Sequence, residues 1–251
     1  MIVVMNIVYH LPMRLTILDY GLFQVHENAR VIGLVGYLIQ PNPHTHILVD
    51  TGFPAWYPDD LAAAAQRDNL GTFGRILHMT HDNTPAGQLA KVGLTPADIT
   101  HLVITHTHID HVGGIGDFPN APIYISQAER DLPQPLYFGG RSSVQWPSGR
   151  QWHTLTDDVT LCEGVTLLST PGHSVGHYSL LLQLPNTGPV ILAADAINRA
   201  EEWENDAFPN ALARASAQRL MTLSQQQRAL LIYGHDPAQW GQLRKAPAFY
   251  D

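Results

Sequence analysis

Short apolar runs recur along the chain and are separated by polar or alanine-rich stretches of helical length. The runs are rich in Val, Ile and Leu, which favour strands, and Gly, Pro or Asn bounds most of them. We predict strands at 31–39, 46–49, 101–104, 122–125, 164–168, 177–184, 190–193 and 229–232. Pro12 interrupts the apolar N-terminus, which predicts one strand before this proline and another after it.

Helices are predicted in the stretches between these runs. Thr84 is followed by Pro85 at the first helical position and by Gly93 as a stop, and Ser126 forms a capping box with Glu129. The predicted helices span 59–67, 84–92, 126–132, 210–227 and 238–245. Strands and helices that interleave in this way indicate an α/β fold. No linker or low-complexity stretch divides the chain, so we expect one domain over residues 1–251.

Two segments share the same order of features. Residues 36–52 and 177–196 each contain a strand, a turn with Pro and Asn, a second strand and then an aspartate. Each segment is interpreted as a hairpin whose second strand brings Asp50 or Asp195 to a loop. A chance resemblance between two unrelated hairpins explains the likeness equally well.

Composition and charge limit the classes of binding partner and the cellular compartment that we expect. The net charge of −8 argues against binding to nucleic acid or to anionic lipid. The one cysteine, Cys162, excludes an intrachain disulfide and a zinc site built from thiolates. No apolar run is long enough to span a membrane, and the N-terminus has neither a basic start nor a small-residue cleavage site. We therefore expect a cytoplasmic protein that does not enter a membrane.

Histidine is abundant, with 14 residues, and its densest cluster is the segment THTHIDHVGG at 105–114, directly after a buried-strand pattern. In an extended backbone, residues two apart point the same way, so His106 and His108 are placed to bind one cation. Asp110 and His111 then face a second cation. The alternative is a solvated loop that happens to be rich in histidine, which the H-x-H-x-D-H spacing disfavours.

Further ligands are expected at the ends of other strands. His173 and His235 each follow a predicted strand, and Asp195 ends an apolar run. A carboxylate at the end of a buried strand is costly unless a cation neutralises it. Each residue alone would more often serve as a cap or a core residue, but three of them at strand ends predict a shared site. The predicted ligands are His106, His108 and His173 for one metal, Asp110, His111 and His235 for the other, and Asp195 as the bridge.

The ligand types indicate the metal and its chemistry. Nitrogen and oxygen ligands of this kind suit Zn²⁺ best, and Mn, Fe or Co are alternatives. Two cations that share a water lower its pKa, supply hydroxide at neutral pH and polarise a carbonyl or phosphoryl oxygen. The pattern therefore predicts hydrolysis without a protein nucleophile, and Cys162 has no basic neighbour that would activate its thiol.

Other polar residues near the motifs are candidates for supporting roles. A metal-bound histidine normally passes its second ring N–H to a carboxylate or a carbonyl. Asp50 in VDTG, and also Asp236, are candidates for that role, with a turn cap as the alternative for Asp50. His177 begins the next predicted strand, and we expect it to have a structural or supporting role.

The motifs together resemble the metallo-β-lactamase superfamily. VDTG at 49–52, the H-x-H-x-D-H segment, TPGHSVGH at 170–177, AADA at 193–196 and YGHD at 233–236 occur in the order of that family. The resemblance implies an αβ/βα four-layer sandwich. Within the superfamily the chain is most similar to the N-acyl homoserine lactonases, the quorum-quenching branch, and to the related pyridoxolactonases.

The resemblance also implies an activity, which is zinc-dependent opening of a lactone ring, above all in N-acyl homoserine lactones, at a centre of two Zn²⁺. A metal-bridging hydroxide would attack the ester carbonyl, and the metal held by Asp110, His111 and His235 would take the developing oxyanion. Asp195 would relay a proton to the leaving alkoxide. The expected partner is a small lactone or ester. The lactonases that this chain resembles are often dimers, so a homodimer is one option.

Asn198 departs from the resembled lactonases, which usually carry a substrate-contacting tyrosine three residues after the bridging aspartate. Asn donates hydrogen bonds but is not a phenolic acid, so Asn198 is a candidate catalytic residue with an altered role. Tyr178 and Tyr233 are nearby in sequence. The departure keeps alternatives open: another cyclic ester, a thioester or a phosphoester, as for pyridoxolactonase or glyoxalase II, or a non-catalytic metal-binding scaffold or sensor.

Two segments are candidates for substrate contact. The tract 136–152, rich in Gly, Ser and Trp, is a candidate second substrate loop. An apolar wall against an acyl chain is expected after VDTG, and the alternative for this segment is a helix packed on the core or on a partner subunit. The residues of that wall are Phe53, Trp56, Leu70, Phe73 and Ile76.

Overall fold

The computed structural model describes residues 12–135 and 143–251, and strands in these two ranges form two sheets. The first sheet contains β1 (Arg14–Val25), β2 (Val31–Asn42), β3 (Thr45–Val49), β4 (Gly74–His78), β5 (His101–Val103), β6 (Ile123–Ser126) and β7 (Trp152–Leu155). The second contains β8 (Val159–Cys162), β9 (Val165–Ser169), β10 (Tyr178–Leu184), β11 (Gly188–Leu192) and β12 (Leu230–Ile232). Their spatial orders are β4–β1–β2–β3–β5–β6–β7 and β12–β11–β10–β9–β8.

The helices begin at side-chain caps that the sequence supplies. Asp60 accepts hydrogen bonds from the backbone of Ala62 and Ala63, and Asn210 accepts one from Ala213. None of the described helices combines the length and the apolar composition that a membrane span needs. The helices are α1 (Leu61–Arg67), α2 (Pro85–Ala90), α3 (Ile109–Val112), α4 (Gln127–Arg130), α5 (Ala200–Glu204), α6 (Ala211–Gln227) and α7 (Pro237–Gln242).

Alternate residues of the strands face different hydrophobic layers, because side chains alternate across a strand. Ile17 of β1 belongs to the apolar layer between the two sheets, together with Leu180 of β10. Its neighbour Leu18 faces the opposite way, into the layer that includes helical residues such as Leu89. The outer face of the second sheet packs against α6 through Leu220. Helices therefore cover the outer faces of two packed sheets, which confirms the predicted αβ/βα sandwich.

Both predicted hairpins are present, and each is followed by a parallel strand. β2 pairs with β3 and β10 pairs with β11, both antiparallel. β5 then lies parallel to β3, and β12 lies parallel to β11. The carboxyl ends of two parallel neighbours lie at the same edge of a sheet. Asp50 and the segment 105–114 therefore leave the first sheet side by side, and Asp195 and His235 leave the second sheet in the same way.

The structure also contains elements that the sequence pattern does not predict, namely β4, β7, β8, α3 and α5. β4 lies at the edge of its sheet with Arg75 and His78 exposed, so its apolar pattern is weak. α3 is four residues long, which is too short for a 3.6-residue periodicity to appear. The strand predicted before Pro12 falls on residues 1–11, outside the described residues.

Candidate metal centre

The structure brings all seven predicted ligands to one place at the carboxyl ends of these strands. Within each of two groups, the candidate ligand atoms lie within 4.8 Å of one another. The backbone is extended at His108, and the single turn of α3 then directs Asp110 and His111 to a different group. The first group is His106, His108, His173 and Asp195, and the second is Asp110, His111 and His235. The role of these side chains as metal ligands stays a prediction.

The carboxylate of Asp195 lies between the two groups. Its Oδ2 atom is 3.1 Å from Nε2 of His173 and 3.9 Å from Nε2 of His106. Its Oδ1 atom is 3.2 Å from Nε2 of His235 and 3.3 Å from Nε2 of His111. Because each oxygen faces a different group, this carboxylate has the geometry to neutralise two cations at once.

Asp50 orients one histidine of each group. Its carboxylate accepts the Nδ1–H of His111 at 2.8 Å, and it also accepts the backbone N–H and the hydroxyl of Thr105, both at 2.8 Å. Since the Thr105 hydroxyl has donated its proton, its oxygen accepts the Nδ1–H of His106 at 3.1 Å. Both imidazoles therefore direct an Nε2 lone pair at the site. Asp50 acts on His106 through Thr105 and on His111 directly, and it sits at the left-handed φ of 61°.

His235 is oriented by the first sheet. Its Nδ1–H donates to the backbone oxygen of Gly33 on β2 at 3.0 Å, so its Nε2 lone pair also faces the site. A Cβ at position 33 would lie 2.1 Å from the Trp240 ring, so only glycine allows this approach of α7 to β2. Asp236, the other candidate partner for a histidine, does not have that role. It caps α7 by accepting the backbone N–H groups of Ala238 and Gln239.

His177 holds the turn that carries Asp195. Its Nε2 accepts the backbone N–H of Asp195 at 3.0 Å, so its Nδ1 carries the proton and donates to Thr170 at 2.9 Å. The Thr170 hydroxyl in turn donates to Ser179, and the Ser179 hydroxyl donates to the backbone oxygen of Ala193. This chain of hydrogen bonds begins and ends beside Ala194, whose φ is 45°. It stabilises an otherwise costly backbone conformation next to the shared carboxylate.

Glu129 of α4 connects the two loops that supply the first group. Its side chain is fully buried, and it accepts the hydroxyl of Thr107 at 2.5 Å and the backbone N–H of Gly176 at 3.0 Å. Thr107 lies between two candidate ligands, and Gly176 lies in the loop that carries His173. The sequence showed Glu129 only as part of a helix cap, and nothing in the pattern indicated these distant partners.

Burial and charge set the protonation of the histidines. Burial, followed by the neighbouring imidazoles, holds the pKa of His106 and of His108 well below the ordinary value. Burial also lowers the pKa of His235, but the carboxylates of Asp195 and Asp110 outweigh it and raise this pKa to about 9. The same balance raises the pKa of His111. The imidazoles of His106 and His108 therefore favour the neutral form, and His111 and His235 favour a positive charge beside the carboxylates.

The donor set fits divalent transition-metal ions. Nε2 of His106 and Nε2 of His173 lie 2.9 Å and 3.0 Å from Nδ1 of His108, so three ring nitrogens converge on one point. Beside the second group, Oδ1 of Asp195 is buried and faces Nε2 of His111 and Nε2 of His235 at 3.3 Å and 3.2 Å. A buried carboxylate among imidazoles is costly unless a positive charge neutralises it, and a metal cation between these atoms would supply that charge. Imidazole nitrogens and carboxylate oxygens are ligands of Zn²⁺ and related metals.

An apolar cavity adjoins the two groups. Of the predicted wall, Phe53, Leu70 and Phe73 line this cavity, whereas Trp56 and Ile76 do not line it and pack against the hydrophobic core. Ile76 belongs to β4, which is a strand rather than the helix considered for this segment. Residues 136–142 of the candidate second loop lie outside the described part of the chain, and 143–152 do not line the cavity.

Asn198 lines this cavity beside the candidate ligands, and its Oδ1 is buried without a hydrogen-bond partner. Neither Tyr178 nor Tyr233 lines the cavity, and the Tyr178 hydroxyl donates to the backbone of Asp157 instead. Arg30 also lines the cavity, and the sequence had not singled it out because one arginine after a turn carries no distinctive signal. Burial and Glu163 raise the pKa of the Cys162 thiol, which agrees with its exclusion as a nucleophile.

Known proteins show the same arrangement of sequence and fold. The metallo-β-lactamase superfamily model matches residues 35–235. The N-acyl homoserine lactonase AttM of Azorhizobium caulinodans is 32% identical over 238 residues, which covers 86% of this chain and 87% of AttM. AiiA, an N-acyl homoserine lactonase of Bacillus thuringiensis subsp. kurstaki, is 33% identical over 214 residues, or 81% of each chain.

A solved structure extends this likeness to the whole fold. It is an N-acyl homoserine lactone hydrolase with the product N-hexanoyl-L-homoserine bound at its catalytic metal centre. It superposes with a TM-score of 0.80 at 26% identity, and the match covers 95% of this chain and 99% of that one. The family model covers most of the chain, and both sheets and the ligand-bearing loops occur in the family's order. The chain therefore belongs to the metallo-β-lactamase superfamily.

Proposed function

We propose that this chain is a dinuclear metal hydrolase that opens lactone rings, with N-acyl homoserine lactones as its substrate class. The observation that carries the proposal is the Asp195 carboxylate, which faces both histidine groups at the floor of an apolar cavity. The relatives AttM and AiiA, which are N-acyl homoserine lactonases, support the choice of substrate class.

The residues of the two groups would hold the metals, which we expect to be Zn²⁺. His106, His108 and His173 would hold one, Asp110, His111 and His235 would hold the other, and Asp195 would help to hold both. Two such cations supply an activated water at neutral pH and polarise an ester carbonyl. Five imidazoles and two carboxylates suit Zn²⁺ by ligand type, with Mn, Fe or Co as alternatives.

The chain's own groups would then bind the substrate and move its protons. Phe53, Leu70 and Phe73 would bury the acyl chain and exclude water from the ester. Asn198 lies at the same cavity and would form a hydrogen bond to the lactone with its amide. Asp195 would accept a proton on a carboxylate oxygen and pass it to the leaving alkoxide as the ring opens.

A second candidate function keeps the site and changes the substrate. Asn198 lines the cavity, and no tyrosine is among the described residues that line it. A substrate whose leaving group needs no phenolic acid fits this difference. A thioester would meet that requirement because its thiolate leaving group is less basic than an alkoxide, and so would a phosphoester or another cyclic ester whose leaving alcohol is acidic.

A substrate panel tests both candidates. Acid release from N-hexanoyl-homoserine lactone and γ-caprolactone is compared with turnover of a p-nitrophenyl ester, S-lactoylglutathione and a phosphodiester. Metal content is measured on the same preparation, and Asp195→Asn serves as the matched control for the site. We expect about two metals per chain and lactone opening that chelation abolishes. Turnover of another substrate in the panel without opening of N-hexanoyl-homoserine lactone would establish the second candidate.

A further inference from the structure

Arg30 lines the same apolar cavity as several of the candidate metal ligands. In the β1–β2 ladder, Phe23 pairs with Ile32, and the backbone of Val25 donates to Arg30 two residues further along. Residues two apart on a strand share a face, so these four side chains form one surface, and all four line the cavity. Among the described residues that line the cavity, Arg30 is the one lysine or arginine.

The guanidinium of Arg30 has no partner of its own within the described part of the chain. Its Nε is buried without a hydrogen-bond partner, and no carboxylate forms an ion pair with it. Arg199, by contrast, forms ion pairs with Glu201 and Glu202 of α5. Burial and Arg199 lower the pKa of Arg30, and more distant glutamates raise it. Arg30 is half-buried, and an acceptor oxygen on a bound ligand would supply the partner that its buried Nε lacks.

The backbone of Arg30 lies close in sequence to a residue that contacts the candidate metal centre. Gly33 of β2, whose carbonyl orients His235, comes three residues after Arg30. Three residues of strand span roughly 10 Å, which separates the Arg30 backbone from that contact. The backbone is fixed there, because Val25 donates to the Arg30 carbonyl and Asn28 accepts the Arg30 N–H.

We propose that Arg30 is a specificity-determining residue that donates hydrogen bonds to an acceptor oxygen on the acyl chain, several bonds away from the scissile ester. The inference rests on the proposed lactonase function and adds a substrate feature to it. A keto oxygen on the third carbon of the acyl chain has this chemistry, and so does a carboxylate further along the chain. The guanidinium fork suits either acceptor, and an unsubstituted chain offers neither.

The test compares N-hexanoyl and N-(3-oxohexanoyl) homoserine lactones, with an ω-carboxyhexanoyl lactone as the anionic arm. One of the two oxygen-bearing substrates, the 3-oxo or the ω-carboxy lactone, carries the acceptor that Arg30 favours. For that substrate, kcat/KM of the Arg30→Met variant is expected to fall about tenfold or more, through a rise in KM rather than a fall in kcat. The unsubstituted substrate is expected to change less than about twofold. Arg30→Lys should recover part of the loss, and Arg75→Met, an exposed arginine on the adjacent β4, should leave both substrates unchanged.

Further readouts keep the outcome decisive. Arg30→Met is expected to retain or raise Tm, because it removes an unpaired charge from an apolar wall. Calorimetry measures binding of the ring-opened keto and unsubstituted products to metal-loaded protein. A preference for the oxygenated product that disappears in Arg30→Met supports the inference, and equal losses for both compounds overturn it. If the wild type opens no lactone, the proposed function fails, and the product-binding comparison still decides the role of Arg30.

Discussion

The backbone N–H of Asp195 donates a hydrogen bond to Nε2 of His177 over 3.0 Å. This bond fixes the turn from which the Asp195 carboxylate reaches both histidine groups. We expect His177→Ala to lower metal affinity about 10- to 100-fold, the range found when residues that support metal ligands are removed. His177→Gln retains an acceptor for the Asp195 N–H and should lose less. Metal per chain at buffered free zinc measures the difference, and equal occupancy in both variants would contradict this role.

The same histidine predicts a pH dependence of stability. Burial is the main reason that the pKa of His177 falls from 6.5 to about 3 in the folded protein. As the pH falls from 6.5 towards 3, the unfolded chain binds a proton that folded His177 does not, so the free energy of unfolding decreases. His177→Gln removes this titration and should flatten the profile in that window. Urea denaturation of the metal-free protein between pH 7 and 4 checks it, and parallel profiles would count against the assignment.

Asp50→Asn is expected to weaken metal binding without unfolding the protein. The amide cannot accept all three hydrogen bonds that Asp50 now receives from Thr105 and His111. A loss of about 10- to 100-fold in metal affinity is expected. Asp98→Asn is the matched control, because Asp98 accepts the same pair of donors from Thr95 at an exposed capping box. Zinc titration against a chelating indicator compares the two variants, and equal affinities would refute the role of Asp50.

Glu129→Ala should separate the two loops of the first group. It removes the acceptor for Thr107 and for the Gly176 N–H, each worth about 1–3 kcal/mol when buried. We expect a lower free energy of unfolding and the selective loss of about one of two metals. Asp131→Ala, an exposed carboxylate just after the same helix, is the control. A double-mutant cycle with Thr107→Val should give a coupling of about 0.5–3 kcal/mol, and additivity would exclude the contact.

Removal of the metals is expected to change both the number of bound protons and the stability of the fold. The pKa of His235 is raised to about 9 by Asp195 and Asp110, although burial opposes them, so Nε2 is protonated at pH 7 when no metal is bound. Zinc binding is therefore expected to release a proton at pH 7 and less of it as the pH rises through 9. Calorimetry in buffers of different ionisation enthalpy counts these protons. Chelation should also lower Tm, since the metal binds the folded state.

Several features followed from the sequence by itself. The apolar runs and their separations determined the α/β class, because the periodicity of burial is a local property of strands and helices. The spacing within 105–114 determined which histidines share a side, because extended backbone alternates its side chains. His173, Asp195 and His235 were recognisable because each follows a strand. The sequence pattern did not predict β4, because an edge strand exposes much of its surface and its apolar pattern is weak.

The tertiary structure alone decided how those ligands are held. Gly33 accepts a hydrogen bond from His235 across 202 residues, and Glu129 reaches back to Thr107 and forward to Gly176. Arg30 lines the cavity only because the register of β1 and β2 places its side chain on the face of Phe23. The physical reason is that a hydrogen-bond partner is chosen by distance in space. Packing of the two sheets sets that distance, and local sequence patterns do not contain it.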